Sequence, residues 1–173
     1  MNVNIPNVSL GEYGYEGTIH LTSWNGFVSS SKGVYRLDIG GDMVQKDPHL
    51  SNEHLVAYQY TVDYQNEIRD RIIEALFKIY SDLHADYGYE GDEKLEYMPD
   101  VEAYEDFKRL IGLSQVHIMN VYKDGMAYVG YELNCTWDEE HGLGIMMYKD
   151  RIVELGSADT SFLTWIAEKD LAK

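Results

Sequence analysis

The chain has 173 residues, 45% of them hydrophobic and 25% charged, which is enough for one ordinary core and short for two, so it reads as a single domain over residues 1–173. Thirty Asp plus Glu against fourteen Lys plus Arg leave a net charge of −16. That sign repels phosphate backbones and anionic membrane surfaces, which argues against nucleic acid and membrane as partners and favours a basic protein.

With 15 Tyr, 3 Trp and 4 Phe to bury, the chain does not have the composition of a disordered protein. One cysteine, Cys135, leaves no internal disulfide and fits a reducing, cytoplasmic setting. The opening Met-Asn-Val-Asn-Ile-Pro has neither the basic nor the apolar segment of a signal peptide. No run approaches the roughly 18–20 apolar residues of a membrane-spanning helix.

In chain order, residues 18–22 and 34–39 are β-prone, with Val34-Tyr35-Arg36-Leu37-Asp38-Ile39 alternating before Gly40-Gly41. The period then changes. Ile68, Ile72, Leu76, Tyr80 and Leu83 recur at three and four, widened by Ile73, Phe77 and Ile79, and this predicts a long amphipathic helix. Residues 55–62 upstream favour a separate short helix over a strand, with Ser51 or Asn52 as its N-cap. A loop is expected from about Ala85 to Tyr97. Pro99-Asp100 should then introduce a short helix carrying Val101, Tyr104, Phe107, Leu110 and Ile111 on one face, with Gly112 just beyond it.

The last third reads as strands. Val116–Tyr122 runs into Lys123-Asp124-Gly125, a hairpin signal. The partner strand alternates, with Val129, Tyr131, Leu133, Cys135 and Trp137 on one face and Tyr128, Gly130, Glu132, Asn134 and Thr136 on the other. Leu143–Tyr148 turns at Lys149-Asp150 into Arg151–Leu155. Gly156-Ser157-Ala158-Asp159 should cap a final helix with Phe162, Leu163, Trp165 and Ile166. The expected fold is α+β: an antiparallel β meander with a long amphipathic helix and shorter helices packed on one face. Tyr-Gly-Tyr-Glu-Gly occurs at both 13–17 and 87–91 with unrelated flanks, which indicates two similar loops and not a duplicated domain.

Chemistry-bearing motifs are sparse. There is no phosphate-binding loop, dinucleotide fingerprint, Gly-x-Ser-x-Gly or His-Glu-x-x-His, and the six histidines show no ligand spacing, so neither a cofactor, a metal ligand set nor a catalytic residue is assigned. Cys135 lies on the apolar face of its strand and reads as a small hydrophobe. Glu132 and Asn134, on the other face, become candidates if that face is covered.

Two acidic segments stand out as partner-binding candidates. From Asp82 to Asp106 there are ten acids against one base, Lys94, with rings interleaved; Tyr87, Tyr89, Asp92, Glu93, Glu96 and Tyr97 are its candidates. The second is the turn after Trp137, where Asp138, Glu139, Glu140 and His141 are contiguous. Rings supply apolar contact area while carboxylates steer encounter with a cation. The same turn could instead hold a hard cation or support metal-assisted hydrolysis through Asp138, Glu140 and His141. The plainer reading of both segments is solvated loop and hairpin tip.

Two stretches carry a resemblance. Ser51-Asn52-Glu53-His54-Leu55 through Tyr64-Gln65-Asn66-Glu67-Ile68 to Ile72-Ile73-Glu74-Ala75-Leu76 is similar to the helical segment of a bacterial family of uncharacterised domains. Residues 135–144, Cys-Thr-Trp-Asp-Glu-Glu-His-Gly-Leu-Gly, with Asp150-Arg151-Ile152-Val153-Glu154-Leu155-Gly156, resemble the same family. The resemblance implies a small acidic cytoplasmic domain without an assigned reaction. Some similar bacterial domains resemble immunity proteins, which neutralise a co-encoded toxin by binding it. The expectation is a non-catalytic domain that captures a basic protein; homo-oligomerisation stays open.

Overall fold

A computed structural model describes residues 2–28 and 32–173. Among the described residues seven strands form one sheet whose spatial order follows the sequence: β1 (Val8–Leu10), β2 (Tyr15–His20), β3 (Val34–Gly40), β4 (Ile111–Lys123), β5 (Met126–Cys135), β6 (Leu143–Tyr148) and β7 (Arg151–Gly156). Every neighbouring pair is antiparallel except β3 and β4, which run parallel with Arg36 opposite Gln115 and Ile39 opposite Ile118. The meander is therefore interrupted once. A parallel pair needs a long crossover, and here it is the helical stretch between β3 and β4.

That crossover holds α1 (Asn52–Asp63), α2 (Gln65–Tyr87) and α3 (Gly91–Tyr97), followed by a 3-10 turn at Tyr104–Arg109. Ser51 caps α1 as expected, accepting from the His54 amide at 3.3 Å, and its own amide donates to His54 Nδ1 at 3.0 Å. His54 is fully buried, and its Nε2 donates to Asn120 Oδ1 on β4 at 2.8 Å. With Nδ1 accepting and Nε2 donating, the ring must be neutral, and burial foremost pushes its pKa below the ordinary histidine value. The cap thus fixes both the start of the helix and its seat on the sheet.

Most of the predicted stripe of α2 is buried: Ile68, Ile72, Ile73, Leu76 and Tyr80 face inward, each buried aliphatic contributing about 1.5–3 kcal/mol relative to exposure. Ile79 and Leu83 are half-buried, and Phe77, expected in the stripe, is exposed beside Tyr104. Tyr80 packs edge-on against Trp137, with ring centroids 5.6 Å apart. On α1, the Thr61 hydroxyl meets Tyr131 Oη at 3.2 Å. Thus α1 and α2 cover the Tyr131–Trp137 face of β5, as the alternation required.

The boundaries between elements depart from the sequence reading. The loop expected over 85–97 is mostly helical: α2 continues to Tyr87, turns at Gly88 (φ 66°), and gives way to α3. The helix expected after Pro99 is only the 3-10 turn, because Ile111 and Gly112 already belong to β4, which extends five residues further back than predicted. The repeated pentapeptide sits in unlike settings, a hairpin turn leading into β2 and the end of α2.

The largest departure is on the second face of the sheet. The final helix, expected beside the others, splits into a 3-10 turn (Ala158–Ser161) and α4 (Thr164–Leu171), and both lie across the opposite side. The reason is steric. A Cβ on Gly130 would stand 1.5 Å from the Ser161 carbonyl oxygen, and one on Gly144 would meet Ser157 and Ala158 carbonyls at 2.4 and 2.6 Å. Two glycines open β5 and β6 to direct backbone contact, so both strands are buried on both faces. Asp170 anchors α4 there, accepting two hydrogen bonds from Arg151 (3.0 and 2.7 Å) and one from Tyr128 (2.7 Å). Of the apolar residues expected on that helix, Ile166 is buried, together with Ala167, whereas Trp165 is exposed.

Candidate functional site

The two acidic segments, whose contacting residues are 39 to 51 positions apart in sequence, meet. Tyr87, Tyr89 and Tyr97 from the end of α2 through α3, with residues 136–141 beyond β5, line an open cleft of about 480 Å³. Gly88 makes this convergence: its left-handed backbone ends α2, with its amide donating to the His84 carbonyl at 3.0 Å, and the reversal brings Tyr89 over the β5 end.

The contacts are specific. Tyr87 Oη donates to Asp138 Oδ2 at 2.6 Å, Tyr89 Oη donates to the Trp137 carbonyl at 2.8 Å, and the Thr136 hydroxyl donates to the Tyr97 carbonyl at 2.7 Å. The tyrosines form a row. The rings of Tyr87 and Tyr89 are parallel within 1° at 6.2 Å between centroids, and Tyr89 and Tyr97 lie 5.7 Å apart at 46°. Trp137, 1% exposed, is the buried anchor the alternation predicted; its indole Nε1 is among the buried polar atoms without a hydrogen-bond partner.

Asp138 organises the turn. Its Oδ1 accepts from the His141 amide and from the His141 ring, each at 3.0 Å, and its main-chain oxygen accepts from Gly142 at 2.9 Å. Partial burial opposes ionisation of Asp138, but hydrogen bonds from Tyr87 and His141 outweigh it and hold the carboxyl below its usual range. Tyr87 is correspondingly held protonated well above its usual range, by burial first and by its bond to Asp138 second.

Glu139 and Glu140 differ from Asp138. Both line the cleft, both are exposed, and among the described residues neither is within ion-pair distance of a cationic group. Asp92, Glu93 and Glu96 are not brought into the cleft; they point outward from α3, although Glu96 beside Tyr97, with Glu93 and Glu139, raises the Tyr97 phenol. Lys94, the single base of its segment, is occupied by Asp100 at 3.1 Å.

The sequence reading did not single out Thr136 as a cleft residue, although its place beside Trp137 put it there. It also missed a polar cluster on the second sheet face, where His117 Nε2 donates to Glu132 Oε2 at 3.0 Å, Nδ1 lies 3.9 Å from Asp38, and Gln115 donates to Asp38. Strand alternation flags Glu132; the pairing of β4 to β5 that brings His117 beside it is not legible in one sequence. Asn134, its companion candidate, is exposed beside a second cavity of about 260 Å³ lined by Val28, Cys135, Thr136 and Glu139. Cys135 itself is buried and inert: burial pushes its thiol up to about 12.

Among the described residues no three His, Cys, Asp or Glu side chains are gathered to hold a metal ion, and no helix is long and apolar enough to cross a membrane. What the cleft offers chemically is an aromatic wall facing carboxylates. A family model described as a domain of unknown function, DUF6985, matches residues 10–163. No curated protein and no solved structure matches the chain.

Proposed function

The chain belongs to the DUF6985 family, and we propose that it is a non-catalytic protein-binding domain that captures a basic partner in the Tyr87–Tyr97/Asp138–His141 cleft, in the manner of an immunity protein masking a toxin. The observation that carries this reading is the convergence of the two acidic, ring-bearing segments into one concave surface. Apolar ring area gives contact, unpaired carboxylates give sign, and the outward acids of α3 add long-range attraction.

Charge is also separated along the sheet. At the far end of β5, a ten-residue strand spanning roughly 30 Å, Lys123, Lys149 and Arg151 gather within 6.0 Å of the Tyr148 ring centroid. Asp124, Asp150 and the Arg151-bound Asp170 balance these three cations, so the pull on a basic partner comes from the cleft end.

The test is capture from the native host by the immobilised full chain at low and high salt, followed by binding kinetics on the purified partner. A basic protein released by salt and lost with the Glu139→Gln/Glu140→Gln chain supports the reading. Recovery of no basic partner, or binding indifferent to salt and to that double substitution, overturns it.

A further inference from the structure

Resting on that reading, we propose that the cleft is a receptor for one arginine side chain of the partner, its guanidinium stacked on the tyrosine row and its donors directed to Glu139 and Glu140. Three observations select this occupant. First, the hydroxyl protons of Tyr87 and Tyr89 are already donated to Asp138 and to the Trp137 carbonyl, so these residues offer a ligand ring surface and acceptor oxygens but no donor, which suits a donor-only cation. A cation over a tyrosine face within about 6 Å of the centroid is attracted by the ring quadrupole, and arginine does this more often than lysine.

Second, the rings of Tyr87 and Tyr89 are parallel within 1°, a geometry that matches a planar group better than the compact ammonium of lysine. Third, Asp138 already accepts three hydrogen bonds from Tyr87 and His141, whereas Glu139 and Glu140, on the same cleft, have no cationic neighbour within ion-pair distance among the described residues. Two carboxylates in sequence can each accept from the guanidinium fork, which carries five donors. The site is also held in place before any ligand arrives, since the Tyr87–Asp138, Tyr89–Trp137 and Thr136–Tyr97 hydrogen bonds tie its two walls together.

The experiment titrates capped Gly-Arg-Gly into the full isotopically labelled chain and follows backbone amide shifts, with capped Gly-Lys-Gly and Gly-norleucine-Gly in parallel. Saturable shifts confined to residues 87–97 and 136–142 are expected, with the arginine peptide binding at least about threefold more tightly than the lysine peptide and the norleucine peptide not binding. Tyr89→Leu should weaken the arginine peptide by about fivefold or more. If that variant unfolds, Glu139→Gln/Glu140→Gln, on exposed side chains, should reduce affinity and remove most of its salt dependence. The inference is overturned by absent or scattered shifts, by lysine binding as tightly as arginine, or by full affinity in the double variant. Partner capture that persists through the cleft without arginine selectivity would remove this inference and leave the broader reading standing; loss of all partner capture would remove the reading itself.

Discussion

Replacing Asp170 by Asn tests how the C-terminal segment is held on the sheet. The Asp170 side chain is 5% exposed and receives a two-point bond from Arg151 and a third from Tyr128, tying α4 to β7 and β5. These contacts, the Arg151 hydrogen bonds foremost, lower its carboxyl from 3.8 to about 2. A depressed folded-state pKa means that the unfolded chain binds the proton more tightly. The associated stability is complete above the unfolded value near 3.8 and disappears as pH falls through about 2. A shift of this size corresponds to about 2–3 kcal/mol at neutral pH, at 1.36 kcal/mol per unit. Urea unfolding of wild type and Asp170→Asn, followed by tryptophan fluorescence at pH 7, 5, 4 and 3, should show a gap of that order at pH 7 that narrows on acidification. A gap below about 0.5 kcal/mol at pH 7, the level of an unremarkable surface substitution, or one that stays constant to pH 3, refutes the reasoning.

Other consequences are as direct. Gly130→Ala drives a Cβ into the Ser161 carbonyl and should cost about 3 kcal/mol or more, with loss of amide protection across 158–171; an unchanged melting temperature contradicts the close approach. His54, its pKa lowered by burial, should remain the neutral Nε2–H tautomer in nitrogen NMR as pH passes below about 6.5, where free histidines protonate. Its stability contribution is full above that pH and is lost as pH falls toward the depressed folded value. Tyr87→Phe removes a hydrogen bond that favours ionised Asp138, so the Asp138 carboxyl, followed by carbon-13 NMR, should titrate higher than in wild type. Neutralising Asp92, Glu93 and Glu96 together, all outside the cleft, should slow association with a basic partner while leaving dissociation nearly unchanged.

Periodicity carried much of this fold. The stripe of α2 and the alternation of β5 name the residues that are buried, and Ser51 caps its helix, because these features depend on neighbours in sequence. The parallel pairing of β3 with β4 was not legible, since nothing in either strand records which partner lies beside it after a 70-residue crossover. Nor was the covering of the second sheet face. Gly130 and Gly144 look in sequence like weak points of strands and become meaningful only beside Ser157–Ser161. For the candidate site the residue types were visible, but their union depended on the turn at Gly88. Sequence placed Asp92, Glu93 and Glu96 with the tyrosines on grounds of proximity along the chain, whereas the helical register of α3 sends them outward.

The parallel junction also sets when the two parts of the chain can come together. All residues of the cleft belong to the chain from α2 onward, and α2, which carries Tyr87, packs on β7, on α1, on the 3-10 turn at Tyr104–Arg109 and on the amino-terminal turn at Thr22–Trp24. The strands β1 to β3 join this body through the ladder of β3 on β4, whose partners Arg36 and Gln115 are 79 positions apart, through the Ser23 backbone, held by Gln65 and Arg69 of α2, and through Asp42, which accepts from the Thr164 amide. The amino-terminal strands thus dock only after a long loop has closed, but once seated they bury Ile19, Trp24, Tyr35, Leu37 and Ile39 in the common core, and native-state hydrogen exchange should show them opening together with the helices that carry the binding face.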